Sequence, residues 1–255
     1  MFAKFDLRRR AAAAAIHTMV SLMVAAGAAV LVFGVWYPGA YRALAGGTEL
    51  FLLVTSVDLV LGPLLTFAVF NLAKGWPQLR RDLGAIAAIQ CAALGYGLHT
   101  VYVARPVALV FEVDRFRMIT ATDVNLPELD AAEPEFRTLP LTGPWVLGTR
   151  QAKSAADRNE ALFMGIAGVD IAQRPTFWRP YAASASDALA HARPIARLIE
   201  KYPEQAAAVS ARLRELNVDQ SSAKFLPLVA RAGDWVAIID GAAKPVYFAP
   251  VDGFF

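Results

Sequence analysis

One carboxylate, that of Asp58, and two imidazoles, those of His17 and His99, lie within long apolar segments of this 255-residue chain. Asp58 belongs to the segment 51–72, and His99 belongs to the segment 83–103. A charged side chain at the centre of a membrane helix costs about 2.5–3.5 kcal/mol on the insertion scale, so such residues usually face a partner. At a rise of about 1.5 Å per residue, Asp58 lies about 10 Å and His99 about 6 Å from the same membrane face. The similar depths predict a contact between these two side chains.

Asp58 admits three interpretations. The first is a structural polar contact that holds the helices together, with Thr55 and Ser56 as nearby hydroxyl donors. The second is a docking point for a further membrane helix, and the third is a proton relay or a catalytic group. Gly62 and Pro63 follow in the same segment, where the proline predicts a kink that would shape a groove for a partner helix.

Three segments are long and apolar enough to cross a bilayer, which requires about 20 mainly apolar residues. They cover residues 11–35, 51–72 and 83–103. Hydrophobic residues make up 56% of the chain, and the excess over a typical soluble domain is concentrated in the first hundred residues. The sequence therefore predicts a three-helix transmembrane anchor over residues 1–104 and a soluble domain over residues 105–255.

The distribution of Lys and Arg around these segments predicts their direction, because short cytoplasmic loops carry an excess of basic residues. The N-terminal flank and the linker between the second and third segments are basic, whereas the linker between the first and second contains a single arginine, Arg42. The N-terminus is therefore predicted to be cytoplasmic, and three spans then place the C-terminal domain on the opposite side. The first segment is predicted to be a retained anchor, since its apolar run is longer than a typical signal core.

The polar part of the chain predicts an α+β domain with an antiparallel sheet. Alternating branched and aromatic residues predict five strands, at 107–120, 145–149, 225–231, 235–240 and 246–249. Helical periodicity predicts two helical regions, at 152–166 and, with interruptions at Pro194 and Pro203, at 184–216.

Two groups of apolar residues in this domain matter for its surface. Leu162, Phe163 and Ile166 form the predicted apolar side of the first helix. Phe177 and Trp178, in the sequence TFWRPY, have two interpretations. They either pack in the core or form an exposed contact patch for a partner.

The sequence of this domain contains no catalytic or metal-binding pattern. His191 has no nearby Ser or Cys nucleophile motif, and the only cysteine of the chain, Cys91, lies in an apolar segment. Glu112 and Asp114 alternate with apolar residues, so both are predicted to face solvent. The net charge of +3 comes from scattered basic residues, which argues against nucleic acid as a partner. An enzyme, a metal site and a cofactor are therefore not expected.

Two membrane segments and the end of the chain resemble those of a known family. The motifs are VDLVLGPLLTFAVF at 57–70, IQCAALGYGLHTVYVARPVALVFEVDRF at 89–116 and FLPLVARAGDWVAIID at 225–240. They resemble the type IV pilin accessory proteins of the TfpX/TfpZ type. A charged residue followed by GPLLT is unusual in a membrane span, and the resemblance covers most of the chain.

The resemblance implies a non-enzymatic, chaperone-like role in type IV pilus biogenesis at the bacterial inner membrane. Such a protein stabilises or presents a specific major pilin, which before assembly has one membrane helix and a globular periplasmic head. The C-terminal domain would lie in the periplasm. The expected partners are this pilin, through its helix and its head, the lipid bilayer and other pilus assembly proteins. The candidate partner-binding residues on this hypothesis are Thr55, Asp58, Gly62, Pro63, His99, Phe177 and Trp178.

An alternative hypothesis is a membrane-anchored transporter or enzyme component that uses the intramembrane pair Asp58 and His99. Transport and relay sites usually collect several polar residues near the centre of the membrane, and this sequence offers few. A sensor is a further alternative. The predicted cytoplasmic segments of about ten residues each are too short for an output domain.

Overall fold

The structure is a computed structural model of the chain and describes residues 6–231 and 233–255. It divides into two units. The first unit contains two stretches of chain, Met1–Gly39 and Gly47–Ala104. The second unit also contains two stretches, Ala40–Gly46 and Arg105–Phe255.

Long apolar runs form the three long helices of the first unit. α1 (Leu7–Leu31) continues as a π-helical turn (Val32–Trp36), α3 (Gly47–Val69) is continuous through its internal proline, and α4 is Trp76–Val103. The intervening short helix, α2 (Tyr41–Leu44), belongs to the second unit. Among the described residues, α1 with its π-helical turn, α3 and α4 have the length and hydropathy of membrane spans. The prediction of three long apolar helices is confirmed, and these helices indicate membrane association.

Contacts at both ends hold α1, α3 and α4 together. Where α1 finishes, the Tyr37 hydroxyl donates a hydrogen bond of 2.9 Å to the Val101 carbonyl of α4. At the opposite end, the Arg10 guanidinium donates to the carbonyls of Phe67 and Ala68, at 3.2 and 2.8 Å. These two carbonyls belong to the last turn of α3, where a positive charge is favourable. These polar contacts therefore fasten the first unit at both ends of its long helices.

Tyr37→Phe is expected to destabilise the first unit, because it removes a buried hydrogen bond worth about 1 kcal/mol. The measurement is thermal unfolding of the detergent-solubilised protein, with an expected fall in the midpoint of about 2–4 °C. Tyr96→Phe is the matched control, since the Tyr96 side chain is exposed. Equal midpoints for both variants would show that this hydrogen bond does not stabilise the unit.

The second unit is built on one sheet of eight strands within the described residues. In chain order the strands are β1 (Pro106–Glu112), β2 (Arg115–Thr120), β3 (Trp145–Thr149), β4 (Trp178–Pro180), β5 (Arg193–Pro194), β6 (Lys224–Ala230), β7 (Gly233–Ile239) and β8 (Pro245–Ala249). Their spatial order is β4-β3-β1-β2-β6-β7-β8, and β5 pairs with β6. The remaining helices are α5 (Ala155–Ile166), α6 (Ala185–His191), α7 (Ile195–Lys201) and α8 (Ala206–Glu215).

The sheet is mixed, so the prediction of an antiparallel sheet is wrong. β1 pairs in parallel with β3, and β2 pairs in parallel with β6, whereas the other pairs are antiparallel. Parallel neighbours need a crossover of about a dozen residues or more, and long connections precede both β3 and β6. The sequence pattern located six of the eight strands, missed β4 and β5, and carried no information on which strands pair.

The structure tests two other local predictions. The predicted strand 107–120 is a hairpin of β1 and β2, with a turn at Val113, whose φ of 52° lies in the left-handed region. The predicted helical region 184–216 is divided into α6, α7 and α8 near Pro194 and Pro203, as expected. The sequence also predicts a turn that begins at residue 232, and this residue lies outside the described part of the chain.

Two hydrophobic clusters form the core of the second unit. One lies around β1 and β3 and includes Val110, Leu147 and Trp178. The other lies between α7, α8 and the strands β6 and β7, and includes Leu198 and Phe225. Each helix of this second cluster buries one apolar stripe against the sheet.

The linker that carries α2 packs into the second unit. Leu44 is fully buried, and its carbonyl accepts a hydrogen bond of 3.2 Å from the Arg231 amide. The rings of Tyr41 and Phe248 lie 5.9 Å apart. Burial raises the pKa of the Tyr41 hydroxyl above its ordinary value. The linker between the first two long helices is thus a structural part of the C-terminal domain.

Candidate functional site: a groove between the long helices

A groove of about 470 Å³ lies in the first unit between α1 and α4, with α3 as its floor. Its lining is mainly apolar and extends from Ala13 to Ala25 on α1 and from Leu83 to Leu94 on α4. At about 1.5 Å per residue, these stretches correspond to about 17–18 Å, or three helical turns. We call this feature the interhelical groove. It is long enough to hold about eleven residues of another helix.

Polar side chains from all three helices meet beside α3. The His17 Nδ1 and Thr66 Oγ1 atoms are 2.6 Å apart, and the Gln90 amide donates to the Asp58 backbone carbonyl at 3.3 Å. Gly62 leaves the space that these side chains occupy, because a Cβ atom there would overlap the Gln90 amide nitrogen and the His17 ring. The arrangement satisfies polar groups inside an apolar helix bundle.

The Asp58 carboxylate is the exception in this cluster. It is half-buried and lines the interhelical groove. Among the described residues, none donates a hydrogen bond to its oxygens or forms an ion pair with it. The groove therefore presents one carboxylate without a hydrogen-bond partner among the described residues, in a mainly apolar lining.

His99 does not lie near Asp58, so the predicted contact between them is not formed. His99 is exposed, and nine residues separate it from Gln90, which places it about half a turn away around α4. Gly97, two residues earlier, faces α3 closely enough that a Cβ atom there would overlap the Val54 side chain. His99 therefore points away from the groove.

The other residues of the long helices that were named from the sequence do not take part in the polar cluster. Thr55 lines the groove, but its hydroxyl donates to the Phe51 carbonyl at 2.8 Å. Pro63 lies inside α3 without breaking it. The sequence analysis missed His17, Thr66 and Gln90 as members of the polar cluster. Each of them is a polar residue within an apolar segment. A comparison of polar residues that lie at the same depth in neighbouring antiparallel helices could have identified them.

Phe177 and Trp178 are core residues, so the interpretation as an exposed contact patch is wrong. Trp178 is 1% exposed, and its indole nitrogen donates to the Ala172 carbonyl at 2.8 Å. Phe177 is 2% exposed, and the guanidinium carbons of Arg150 and Arg174 lie 4.1 and 4.9 Å from its ring centroid. Both aromatic rings stabilise the domain from inside.

Glu112 is also buried, contrary to the prediction that it faces solvent. Its carboxylate binds the Arg117 guanidinium at 2.7 Å and accepts from the Ala172 amide at 3.1 Å. Arg117 also pairs with Asp170 at 2.9 Å. The alternation rule failed because β1 is an inner strand of the sheet and is buried along its whole length. The carboxylate therefore has a structural role in tying the segment around Ala172 to the sheet.

Three exposed apolar side chains of the second unit lie within five residues on α5. Leu162, Phe163 and Ile166 are 61%, 69% and 75% exposed, although the sequence predicted them as the apolar side of this helix. We call these three residues the α5 face. At the start of α5, the Asp157 carboxylate binds the Arg150 guanidinium at 2.7 Å. This hydrogen bond lowers the pKa of the Asp157 carboxyl below its ordinary value. The helix is thus held at one end and exposes its apolar side at the other.

No group of three or more potential metal ligands occurs within residues 6–231 and 233–255. Two features suited to binding a partner are the interhelical groove and the α5 face. Both are mainly apolar surfaces suited to contact with a helix, a protein or lipid.

Comparison with known proteins places this architecture in a family. The family model described as "Fimbrial assembly protein FimB" matches residues 5–46. The chain is 38% identical over 241 residues to the fimbrial assembly protein of serogroup I of Dichelobacter nodosus, and 37% identical over 241 residues to that of serogroup E1. Each alignment covers 94% of both chains. A third relative, of serogroups C1 and C2 of the same organism, is 44% identical over 117 residues, which cover 46% of this chain and 89% of the relative.

The chain belongs to the family of fimbrial assembly proteins. Its identity to two relatives over nearly their whole length supports this assignment. No solved structure matches the chain. The names of the relatives support a role in fimbrial biogenesis, in agreement with the class of function expected from the sequence motifs.

Gly62→Val is expected to destabilise the first unit by about 1–3 kcal/mol, because the added methyl groups displace Gln90 and His17 from their contacts. Gly27→Val is the matched control, since nothing lies within 4 Å of a Cβ atom at Gly27. The measurement is thermal unfolding in detergent, where only Gly62→Val should lower the midpoint. If the two variants unfold together, the polar cluster is not closely packed.

Proposed function

We propose that this protein is a chaperone-like accessory protein of type IV pilus biogenesis, of the TfpX/TfpZ type, that holds a specific major pilin at the bacterial inner membrane. The observation that carries the proposal is the interhelical groove, an open apolar channel about three helical turns long in a member of a fimbrial assembly family. A pilin that waits for assembly has an apolar membrane helix that needs such a surface. The protein acts by binding and has no catalytic step.

In the proposed topology, α1, α3 and α4 cross the inner membrane, residues 1–104 form the anchor and residues 105–255 form a periplasmic domain. Two observations support it. The basic residues concentrate at the N-terminus and between α3 and α4, which favours a cytoplasmic position for both. The α2 linker packs into the C-terminal domain, so the linker and the domain lie on the same side of the membrane.

The groove suits a helix as its occupant. Its walls are formed by small and aliphatic side chains such as Ala25 and Ala87, and small residues allow close approach of helices in lipid. Association of membrane helices depends on packing and on hydrogen bonds, since lipid is as apolar as the helices themselves. The groove provides packing along α1 and α4 and polar groups beside α3.

The alternative of a transporter or enzyme component loses its basis in the structure. That hypothesis depended on Asp58 and His99 acting as a pair, and His99 is exposed on another side of α4. The polar groups near Asp58 are occupied by helix-to-helix hydrogen bonds. No specific observation favours this second candidate.

Photocrosslinking in cells tests the groove directly. A photoreactive residue at Ala87, which lines the groove, is expected to give an adduct with the pilin. The same residue at Ile89, which is 64% exposed and lies outside the groove lining on the same helix, is expected to give none. Equal yields at both positions, or no pilin adduct at Ala87, would contradict the proposal.

The α5 face is the proposed contact for the pilin head. Phe163→Ser is expected to reduce surface pili while leaving the thermal midpoint within about 1 °C, because an exposed apolar side chain contributes little to folding. Leu141→Ser is the matched control, since Leu141 is a similarly exposed apolar residue of the same unit. Pilus counts by electron microscopy and pilin recovery from sheared cells give the readout. Normal piliation in Phe163→Ser cells would remove the α5 face from the proposal.

A further inference from the structure

A cavity of about 460 Å³ lies in the second unit where the strands β2 and β6 end. These strands pair at only two positions, Phe116–Leu228 and Arg117–Val229, so the last residues of β2 continue beyond β6. The cavity has a mainly polar lining that includes Arg117, Thr122, Asp123, Gln173 and Arg231. Its volume is within the range of about 300–1,000 Å³ that is typical of small-ligand sites. We call it the β2–β6 pocket.

Two charged side chains of this pocket are available to a ligand. Among the described residues, the Arg231 side chain has no ion pair and no hydrogen bond. The Asp123 carboxylate accepts hydrogen bonds from the Thr120 amide and hydroxyl, at 2.9 and 2.6 Å, and both reach its Oδ2 atom. Its Oδ1 atom therefore remains free to accept, and no cation of the described residues pairs with it.

The charge balance of the pocket disfavours a simple anion. Arg117 also lines the pocket, but it is already paired with Glu112 and Asp170, at 2.7 and 2.9 Å. The charge that is left consists of one free guanidinium and one free carboxylate. A ligand that carries both an anionic group and an ammonium group matches this pair, because each group meets its opposite charge.

The pocket lies at the end of the domain where the chain connects to the long helices. The Arg231 amide donates to the Leu44 carbonyl at 3.2 Å, and Leu44 precedes the start of α3 by three residues. The Ala121 amide donates to the carbonyl of Arg105 at 2.9 Å, and Arg105 follows the C-cap of α4. Three residues of chain span at most about 11 Å. If the long helices cross the bilayer as proposed, lipid headgroups are therefore within reach of the pocket.

We propose that the β2–β6 pocket binds the headgroup of a zwitterionic phospholipid, with its phosphate on Arg231 and its ammonium on Asp123. Phosphatidylethanolamine has this chemistry, and its ammonium donates hydrogen bonds to a carboxylate. Phosphatidylcholine carries the same charges without an N–H group, and phosphatidylglycerol carries no cation. The bound headgroup ties the domain to the membrane surface. The inference rests on the proposed topology and does not depend on the pilin.

Native mass spectrometry of the full-length protein in detergent, with an equimolar mixture of the three lipids, tests this pocket. The wild-type protein is expected to retain about fivefold more phosphatidylethanolamine than phosphatidylcholine, since an exposed charged contact supplies a ratio of this size. Phosphatidylglycerol should also be retained less than phosphatidylethanolamine, because the Asp123 carboxylate repels an anion that has no ammonium group. Soluble O-phosphoethanolamine at the same concentration should leave the retained lipid unchanged.

Two variants separate the roles of the charged groups. Arg231→Gln should reduce retention of phosphatidylethanolamine and phosphatidylcholine alike, and it keeps the backbone hydrogen bond to Leu44. Asp123→Asn should remove the preference between these two lipids, since its amide oxygen can still accept from Thr120 but carries no charge. Arg197→Gln is the matched control, because Arg197 is exposed in the same unit and does not line the pocket. Thermal midpoints establish that each variant is folded.

The possible contrary results are distinguishable. Equal retention of phosphatidylethanolamine and phosphatidylcholine by the wild-type protein, or an unchanged preference in Asp123→Asn, would overturn the inference and leave the proposed function standing. Displacement of the lipid by soluble O-phosphoethanolamine would assign the pocket to a free compound and overturn the lipid assignment. Failure of the wild-type protein to float with liposomes would instead count against the proposed topology, and so against the proposed function.

Discussion

A polar side chain within an apolar helix needs a partner, and this constraint decides how the three long helices of the protein pack. His17 of α1 meets Thr66 of α3, and Gln90 of α4 reaches the backbone of α3 beside Asp58. Each contact draws one outer helix toward α3. Because α1 and α4 both bind the central helix, they leave an open groove between them over much of their length.

In the second unit, which has a conventional hydrophobic core, buried polar groups also have partners. Buried carboxylates and guanidiniums form pairs that hold the irregular segments against the sheet, as Glu112 does with Arg117 and Glu128 does with Arg174 at 2.6 Å. Once these segments are fixed, the aromatic rings of Phe177 and Trp178 are enclosed. The residues of the α5 face remain outside this core.

The sequence was sufficient for elements whose signal is local, and insufficient for features that depend on long-range packing. The three apolar helices and the later strands followed from composition and periodicity. The parallel pairs of the sheet did not, because pairing depends on crossovers that leave no local pattern. Glu112 was predicted to face solvent and is buried, and the exposure of Phe163 did not follow from the periodicity of its helix, since both depend on what packs against the element. In the long apolar helices, Asp58 was recognised from its charge, but its neighbours could be identified only when the rotation of each helix was known.

The central claim is that the interhelical groove holds the membrane helix of a pilin. Cys91 lines this groove and is the only cysteine of the chain, so it provides a native probe at a known position. Single cysteines introduced successively along the pilin helix would be tested for disulfide formation with Cys91 in oxidised membranes. The account predicts disulfides at one depth of the pilin helix, at one position or at two positions about one turn apart on the same side, because a disulfide joins Cα atoms that are only about 4.4–6.8 Å apart. Absence of disulfides at every position, or equal formation at all positions, would contradict it.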